Sequence, residues 1–374
     1  MWAIRLPWWS SLGLALLLAL PAGAQKKKPT KPAPVTKPTL ALPPGYKPLP
    51  VQTKLPPCWA VTFSPDGTRL AVGTYRRVVL YDPITGNKLS DWTVSTDAIR
   101  SLAFSPDGTQ LAAGTGVPGT SGVILVLNAS NGQVLRPIKA HEDTVESIAF
   151  RGTEVISAGN DEKVCVSESA TGQKLGSLSE HVGRCLAVAV PTKTTLQDGG
   201  ALFATGGADK MLKIWDAEKR RVVVNFDQCQ STVWCVAALS QAGRFVAGSG
   251  DGAIRVFGVR ADGPARNDKE PSPRAGFLGQ TFGGAHEGGV YALATAANGQ
   301  TLASGGADHK VKVWNLGRNR VEKEFTEAQG DIWGLAISPN SQLLAAASVD
   351  GRVRLYDLLK NQLVYEIPPV ENKL

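Results

Sequence analysis

Apolar and polar residues alternate over short stretches through most of the chain, and glycine-containing turns separate these stretches. In the segment Leu202–Asp216, LFATGGADKMLKIWD, an apolar run is followed by the turn Gly206–Asp209 and a second, alternating run. Alternation with a period of two on both sides of a Gly/Asp turn predicts a β-hairpin. Nearly the same string, TLASGGADHKVKVWN, recurs at Thr301–Asn315. The hairpin is therefore part of a repeat.

The repeat occurs seven times from Cys58 onward. Each copy begins with an apolar run, and a turn, two further runs and a short outer run follow. The register is set by the residue that ends the third run: Tyr81, Leu127, Ser167, Trp215, Phe257, Trp314 and Tyr356. Periods near 40–45 residues are typical of propeller blades. Seven four-stranded antiparallel sheets packed radially can bury their faces, which one sheet alone cannot, so we predict an all-β, seven-bladed β-propeller.

This pattern resembles the WD40-repeat β-propeller family over residues 58–368. Two copies carry the Trp-Asp or Trp-Asn ending, at Trp215 and Trp314, and two carry Tyr-Asp. The resemblance implies a non-enzymatic scaffold that presents one face to a protein or peptide. Many relatives close the ring with an N-terminal strand. Here either 49–55 or the C-terminal run Leu363–Ile367 could complete the last blade, and the sequence leaves both open.

Three insertions interrupt the repeat. We expect 117–122 to lengthen a loop of blade two, 191–200 to lengthen a turn of blade four, and 261–280 to lengthen a loop of blade five. Loops of this kind often carry function. The last insertion is polar and contains Pro and Gly, which favours disorder.

The N-terminal part differs in composition. Residues 1–24 combine Arg5, a short apolar run and the A-x-A pattern Ala22–Ala24, which predicts a signal peptide cleaved after Ala24 and export to the periplasm or the extracellular space. An uncleaved segment would instead tether the protein to the membrane, and the lysines at 26–28 favour this because positive charge resists translocation. Residues 25–57 form a Pro/Lys-rich linker that we expect to be disordered, with contact to an anionic surface as the alternative. Residues 369–374 form a tail.

Charge and cysteine content narrow the function classes. The net charge is +8, but residues 1–57 hold eight basic and no acidic residues, so the remaining 32 basic residues balance 32 acidic ones. A neutral folded part has no general attraction for phosphate backbones, and no nucleic-acid partner is predicted.

The five cysteines are odd in number and three of them fall in predicted strands, which argues against a disulfide framework. No haem or metal spacing is present, so we predict no cofactor and no metal.

A histidine, a hydroxyl and an aspartate recur at matching offsets in blades four and six. The family resemblance implies that they form a buried hydrogen-bond relay with a tryptophan indole. The residues are His181, Thr205, Asp209 and Trp215 in blade four, and His286, Ser304, Asp308 and Trp314 in blade six. A hydrolase triad is the alternative, but it would need one copy and no indole donor. Blade three keeps a His, a Ser and an Asp but has Ser167 in the tryptophan position, so its relay is predicted to be incomplete.

The second residue of each first strand forms another set. In blade order these residues are Trp59, Arg100, Glu146, Arg184, Trp234, Tyr291 and Trp333. The resemblance implies that this position lies at the rim of the central channel. Trp, Tyr and Arg dominate interaction hot spots, so we expect the rim to bind a protein or peptide partner. The alternative is that these large side chains plug the channel mouth.

Other function classes fit the residues less well. An enzyme would need a carboxylate pair, metal ligands or a cofactor site converging on the channel, and Glu146 is a single acid without a partner among the rim positions. A propeller that binds carbohydrate or cell wall through its aromatic rim is compatible with export. The prediction is therefore an exported, monomeric, non-enzymatic scaffold.

Overall fold

The computed structural model describes residues 56–191, 201–261 and 274–368. These residues form 28 β-strands in seven four-stranded antiparallel sheets, in which each strand pairs with the next along the chain. The predicted all-β, seven-bladed propeller is confirmed. The predicted signal segment 1–24, the linker up to residue 55 and the tail 369–374 lie outside the described residues.

The strands of the first four blades have the following bounds. Blade one contains β1 (Ala60–Phe63), β2 (Leu70–Gly73), β3 (Tyr75–Tyr81) and β4 (Lys88–Ala98). Blade two contains β5 (Ser101–Phe104), β6 (Gln110–Val117), β7 (Ser121–Asn128) and β8 (Val134–His141). Blade three contains β9 (Val145–Arg151), β10 (Glu154–Gly159), β11 (Val164–Glu168) and β12 (Lys174–Leu178). Blade four contains β13 (Cys185–Ala189), β14 (Leu202–Gly207), β15 (Leu212–Asp216) and β16 (Arg221–Phe226).

The last three blades follow the same plan. Blade five contains β17 (Val233–Ala238), β18 (Arg244–Ser249), β19 (Ile254–Ala261) and β20 (Arg274–Phe282). Blade six contains β21 (Val290–Thr295), β22 (Thr301–Gly306), β23 (Val311–Asn315) and β24 (Arg320–Phe325). Blade seven contains β25 (Ile332–Ile337), β26 (Leu343–Ser348), β27 (Val353–Asp357) and β28 (Gln362–Ile367).

The core is divided among the contacts between neighbouring blades. Seven clusters of buried apolar side chains are present, one between each adjacent pair of blades around the ring. The second strand of a blade is covered on both faces, and β14 is buried along its whole length. The outer strand is covered less, so β12 mixes exposed and half-buried positions. This explains why the second runs are continuously apolar whereas the outer runs are more polar.

The ring is closed by packing between blades seven and one. The outer strand of blade seven is the C-terminal strand β28, which decides the alternative that the sequence left open. The Cys58 N–H donates to the Ser348 carbonyl at 3.2 Å. The Tyr365 hydroxyl donates to the Pro83 carbonyl at 2.8 Å, and its ring packs against Gly86. The stretch 49–55 lies outside the described residues.

The insertions differ from the expectation in two places. In blade two, Val117 pairs with Ser121, so the insertion extends the β6–β7 hairpin instead of forming a loop. In blade five, β20 begins at Arg274, so all of 274–280 belongs to the outer strand, and the prediction of a disordered loop over all of 261–280 was wrong. Pairing with the extended strand β19 accounts for this difference. Residues 192–200 and 262–273 lie outside the described residues.

The described residues include all five cysteines of the chain. All five cysteines are buried and none forms a disulfide. Burial raises the pKa of the Cys58 thiol to about 12 and that of Cys229 to about 11, so both thiols are neutral at ordinary pH. Within the described ranges, no helix is long and apolar enough to cross a bilayer.

Candidate functional site

The relay of blade four joins side chains from two strands, from the turn between them and from the connection before β13. The Trp215 indole Nε1–H on β15 donates to the Thr205 hydroxyl on β14 at 2.8 Å. The Thr205 hydroxyl also forms a hydrogen bond with His181 Nε2 at 2.8 Å. His181 Nδ1–H then donates to Asp209 at 2.9 Å. Burial would raise the pKa of Asp209, but the hydrogen bond from His181 and backbone N–H donors outweigh it and lower that pKa.

Blade six repeats this chain of hydrogen bonds. The Trp314 indole donates to Ser304 at 2.7 Å, Ser304 bonds His286 Nε2 at 2.7 Å, and His286 Nδ1 bonds Asp308 at 2.8 Å. Burial lowers the pKa of His286, which favours the neutral imidazole. The Asp308 carboxylate can only accept, so His286 Nδ1 carries the proton, and the Nε2 of the neutral ring then accepts from the Ser304 hydroxyl.

Blade three lacks the indole, and its histidine behaves differently. His141 bonds Asp161 at 2.8 Å and Ser157 at 2.8 Å, while the Ser167 hydroxyl is buried without a partner. The Ser157 oxygen can accept a hydrogen bond from the Nε2–H of a protonated His141. Burial lowers the pKa of His141, but the hydrogen bond to Asp161 outweighs burial with help from nearby Cys165, and raises it to about 9.

Blades five and seven replace the histidine with an arginine that sequence reasoning missed. Arg255 on β19 binds Asp251 at 2.8 Å and donates to Ser249 at 3.0 Å. Arg354 on β27 binds Asp350 at 2.9 Å and is almost fully buried. Both arginines stand two residues before the residue that ends the third strand. An arginine at this offset, in a copy that has the aspartate but no histidine, was the available signal.

The relays of blades three, four and six and the arginine–aspartate pairs of blades five and seven serve the fold and offer no reaction centre. The histidine side chains of blades three, four and six have no exposed surface, so a substrate could not reach them. Within the described residues, no group of three or more His, Cys, Asp or Glu side chains is placed to hold a metal ion. The relay residues therefore act between the strands of their own blades.

The seven rim positions lie where the first strands begin, around one mouth of the central channel. A cavity of about 180 Å³ there is lined by six of them: Trp59, Arg100, Glu146, Trp234, Tyr291 and Trp333. These six side chains are half-buried, whereas Arg184 is exposed beside the cavity.

The aromatic residues of blades five to seven form one half of the rim. Tyr291 and Trp333 are stacked with their ring centroids 4.6 Å apart. Trp234 meets both rings edge-on, at 5.6 Å from Tyr291 and 5.8 Å from Trp333. The Arg184 guanidinium lies 6.0 Å from the Trp234 ring. The three rings contact one another directly, so they form a packed platform with no gap between them.

Charged groups from blades two and three form the other half. Arg100 and Glu146 lie 3.6 Å apart. Glu146 also accepts hydrogen bonds from Thr144 at 2.8 Å and Asn160 at 2.9 Å, which hold its carboxylate in place. Trp59 of blade one stands between the two halves in ring order and forms no ring pair among the described residues.

The surroundings of this rim are acidic. The connections that precede the first strands lie at this mouth of the channel, because each first strand begins there. They carry seven acidic residues, listed in chain order: Glu142, Asp143, Glu180, Asp227, Glu287, Glu327 and Asp331. The arginines beside them are the two rim residues Arg100 and Arg184. Two of these acids have a basic neighbour, since Lys163 pairs with Glu142 at 3.0 Å and His309 lies 3.4 Å from Asp331. The rim therefore presents aromatic and arginine side chains within a border that is negatively charged on balance.

The opposite mouth of the channel is wider and more apolar. A cavity of about 910 Å³ lies there, lined mainly by the ends of the first strands and the turns that follow them. Phe63, Phe104 and Phe150 contribute rings, and the charged lining residue Arg151 is paired with Glu154 at 2.6 Å. Sequence reasoning did not single out this end, because its residues look like ordinary strand ends.

Seven radial blades, two of which carry a complete indole–hydroxyl–imidazole–carboxylate relay, define a WD-repeat type of β-propeller. The family model for the WD domain, G-beta repeat, matches residues 86–125, 172–216, 220–258, 277–315 and 319–357. These segments make up more than half of the chain, so the chain belongs to the WD40 family. Proteins of this family are generally non-enzymatic scaffolds that bind protein partners, in agreement with the prediction made from the sequence.

Curated relatives share parts of the propeller. The chain is 26% identical over 125 residues to the guanine nucleotide-binding protein subunit beta of Saccharomyces cerevisiae, covering 33% of this chain and 30% of the relative. It is 30% identical over 116 residues to human WD repeat-containing protein 41, covering 30% and 25%. It is 25% identical over 176 residues to mouse pre-mRNA-processing factor 19, covering 46% and 33%. The chain thus spans a third or less of the length of these relatives.

Proposed function

We propose that this protein is an exported scaffold that captures a protein or peptide partner at the rim of its channel. The observation that carries the proposal is the convergence of Trp234, Tyr291 and Trp333 from three different blades on one partly exposed platform. Packed aromatic residues with neighbouring arginines are the composition of interaction hot spots.

The charge distribution favours a basic partner. The acidic connections around the rim attract positively charged segments and raise their association rate. A lysine or arginine of the partner can lie over an exposed aromatic face, and an apolar side chain beside it can pack on the platform. We therefore propose a peptide segment in which basic and apolar residues stand close together.

Substitution of the platform tests this binding mode. Trp234→Ala combined with Trp333→Ala should abolish capture of partners from the exported fraction and of selected basic peptides, without loss of the cooperative unfolding transition. Ile84→Ala combined with Leu359→Ala is the matched control, since it removes two highly exposed apolar side chains from turns at the opposite end. This control should bind as the unsubstituted protein does.

Three outcomes would count against the proposal. Unfolding of the double variant would favour side chains that plug the channel. Equal loss of binding in the control would show non-specific apolar contact. Binding of glycans instead of peptides, sensitive to the same double substitution, would favour a carbohydrate-binding rim.

Export and a monomeric state are part of the same proposal. The n-region, apolar run and A-x-A pattern of residues 1–24 support export. Fusion of the N-terminal segment to a reporter that is active only outside the cytoplasm tests it, and N-terminal sequencing of the mature protein tests cleavage after Ala24. Retention of the reporter in the cytoplasm would refute export. Light scattering of the purified chain measures the oligomeric state.

A further inference from the structure

A separate cavity lies between blades five and six, at the end of the propeller opposite the rim. Its volume is about 250 Å³. Val256 and Leu316 supply apolar walls, Gln241, Gln280 and Gln300 supply amides, and Arg244 supplies a guanidinium. We call this cavity the interblade pocket. It shares no residue with the rim, so its role is independent of the proposed scaffold function.

Arg244 is held in the pocket by an aromatic ring. In blade five, Arg244 on β18 pairs with Gly258 on β19, and Gly258 pairs with Phe277 on β20. Directly paired residues share one face of a sheet, so the Phe277 ring lies across Gly258 and reaches the Arg244 guanidinium, 5.1 Å from its centroid. A Cβ atom at 258 would overlap this ring, so the arrangement requires glycine there.

A second arginine lies over the same ring. The Arg260 guanidinium is 6.0 Å from the Phe277 centroid. Arg260 is the second residue after Gly258 along β19, so both lie on the same face of the sheet. Within the described residues, no carboxylate forms an ion pair with Arg244 or Arg260. The buried arginines Arg255 and Arg354 in the same molecule are each paired with an aspartate. Among the residues that the structure describes, the Arg244 guanidinium in the interblade pocket and the Arg260 guanidinium beside it are therefore positive charges without a carboxylate partner.

The chemistry of the pocket selects its ligand. A guanidinium offers a planar fork of donors that matches the two oxygens of a carboxylate or phosphate. The glutamine amides can add neutral hydrogen bonds, and the apolar walls suit a short hydrocarbon or ring. We propose that the interblade pocket binds an oxyanion, a carboxylate or a phosphate, carried on a small apolar group. Arg244 binds its oxygens directly, and Arg260 strengthens the attraction from the pocket edge.

Calorimetric titration of the full chain with butyrate, phenyl phosphate and neutral butanol tests the assignment. We expect both anions to bind and butanol to show no binding. Arg244→Gln should raise the dissociation constant for the anions by roughly tenfold, the loss expected for a charge-assisted hydrogen bond. Arg260→Gln, at an exposed position, should raise it severalfold. Tighter binding of phenyl phosphate than of butyrate would indicate that the natural ligand carries a phosphate. The reverse order would indicate that it carries a carboxylate.

The matched control is Arg221→Gln, which removes the same charge from the exposed outer strand of blade four and should leave binding unchanged. Unfolding curves establish that each variant is folded, and if Arg244→Gln fails to fold, Arg260→Gln carries the test. The proposal is overturned if neither anion binds, if butanol binds as well as butyrate, or if Arg221→Gln weakens binding as much as the pocket variants.

Discussion

The relay of blade four makes a quantitative prediction for the substitution Thr205→Val. Valine has nearly the shape of threonine but no hydroxyl, so the change removes one oxygen from the centre of the relay. That oxygen accepts a hydrogen bond from the Trp215 indole and forms a second one with His181 Nε2, each at 2.8 Å. The side chains of Thr205, Trp215 and His181 are all buried, so water cannot replace the lost partner.

The magnitude follows from the two groups left without partners. Each unsatisfied buried polar group costs about 1–3 kcal/mol, so the variant should be about 2–6 kcal/mol less stable than the unsubstituted protein. With an unfolding entropy of about 2.1 cal/mol/K per residue, a unit of about 300 residues loses roughly 1.5 °C of Tm per kcal/mol. We therefore expect Tm to fall by about 3–9 °C.

Urea unfolding followed by tryptophan fluorescence measures the free energy, and differential scanning calorimetry measures Tm. Thr205→Ser is the matched control, because it keeps the hydroxyl and removes one methyl group, at a cost of about 1 kcal/mol. Binding at the rim should be the same in both variants, since Thr205 lies on the second strand of its blade, away from the channel mouth.

Two results would refute this reasoning. If Thr205→Val unfolds at the same urea concentration as the unsubstituted protein, the hydroxyl does not hold the relay together. If Thr205→Ser is destabilised as strongly as Thr205→Val, the loss comes from packing of the methyl group and not from hydrogen bonding.

Three further predictions concern the other blades. Arg354→Leu should cost about 3–5 kcal/mol in urea unfolding, because it leaves Asp350 buried without its cation; a neutral effect would show that the pair is dispensable. His141 has a folded pKa of about 9 against an ordinary value of 6.5, so its stabilisation is complete below pH 6.5 and is lost as pH rises through 9. His141→Gln should remove up to about 3 kcal/mol of pH-dependent stability across this window. The free energy of unfolding in urea should therefore differ less between pH 6 and pH 9 in this variant than in the unsubstituted protein. Tyr365→Leu should lower the free energy of unfolding by about 1–2 kcal/mol, because the Pro83 carbonyl loses its donor where blades seven and one meet. An unchanged unfolding curve would exclude a role for this contact.

Much of the fold could be predicted because its determinants are local. Alternation of apolar residues and the chemistry of Gly/Asp turns act over a few residues, and the number of times they recur gives the number of blades. The register placed a hydroxyl, an aspartate and a tryptophan at fixed offsets, and the resemblance to the WD40 family implied that they form a relay. The same resemblance implied that the second residue of each first strand lies at the channel rim.

Other features depended on contacts that sequence spacing does not encode. The segment beginning at Arg274 is rich in glycine and follows a Pro-rich stretch, so it looked like loop, yet it pairs with β19 over seven positions. Arg255 and Arg354 looked like surface charges of alternating strands, but blade packing buries them against aspartates. The pocket that holds Arg244 forms only when blade six covers the face of blade five.

The sequence by itself determined the number of blades and the strand order within each blade, because these follow from local periodicity. The relay residues followed from the resemblance to the WD40 family, applied at the register that the repeat sets. Only the tertiary structure decided how the ring closes through β28, which arginines are buried, that the rim aromatic rings pack into one platform, and where cavities open between blades. Those outcomes depend on residues distant in the chain being brought together, and their contact energies are set by geometry between blades that no single repeat contains.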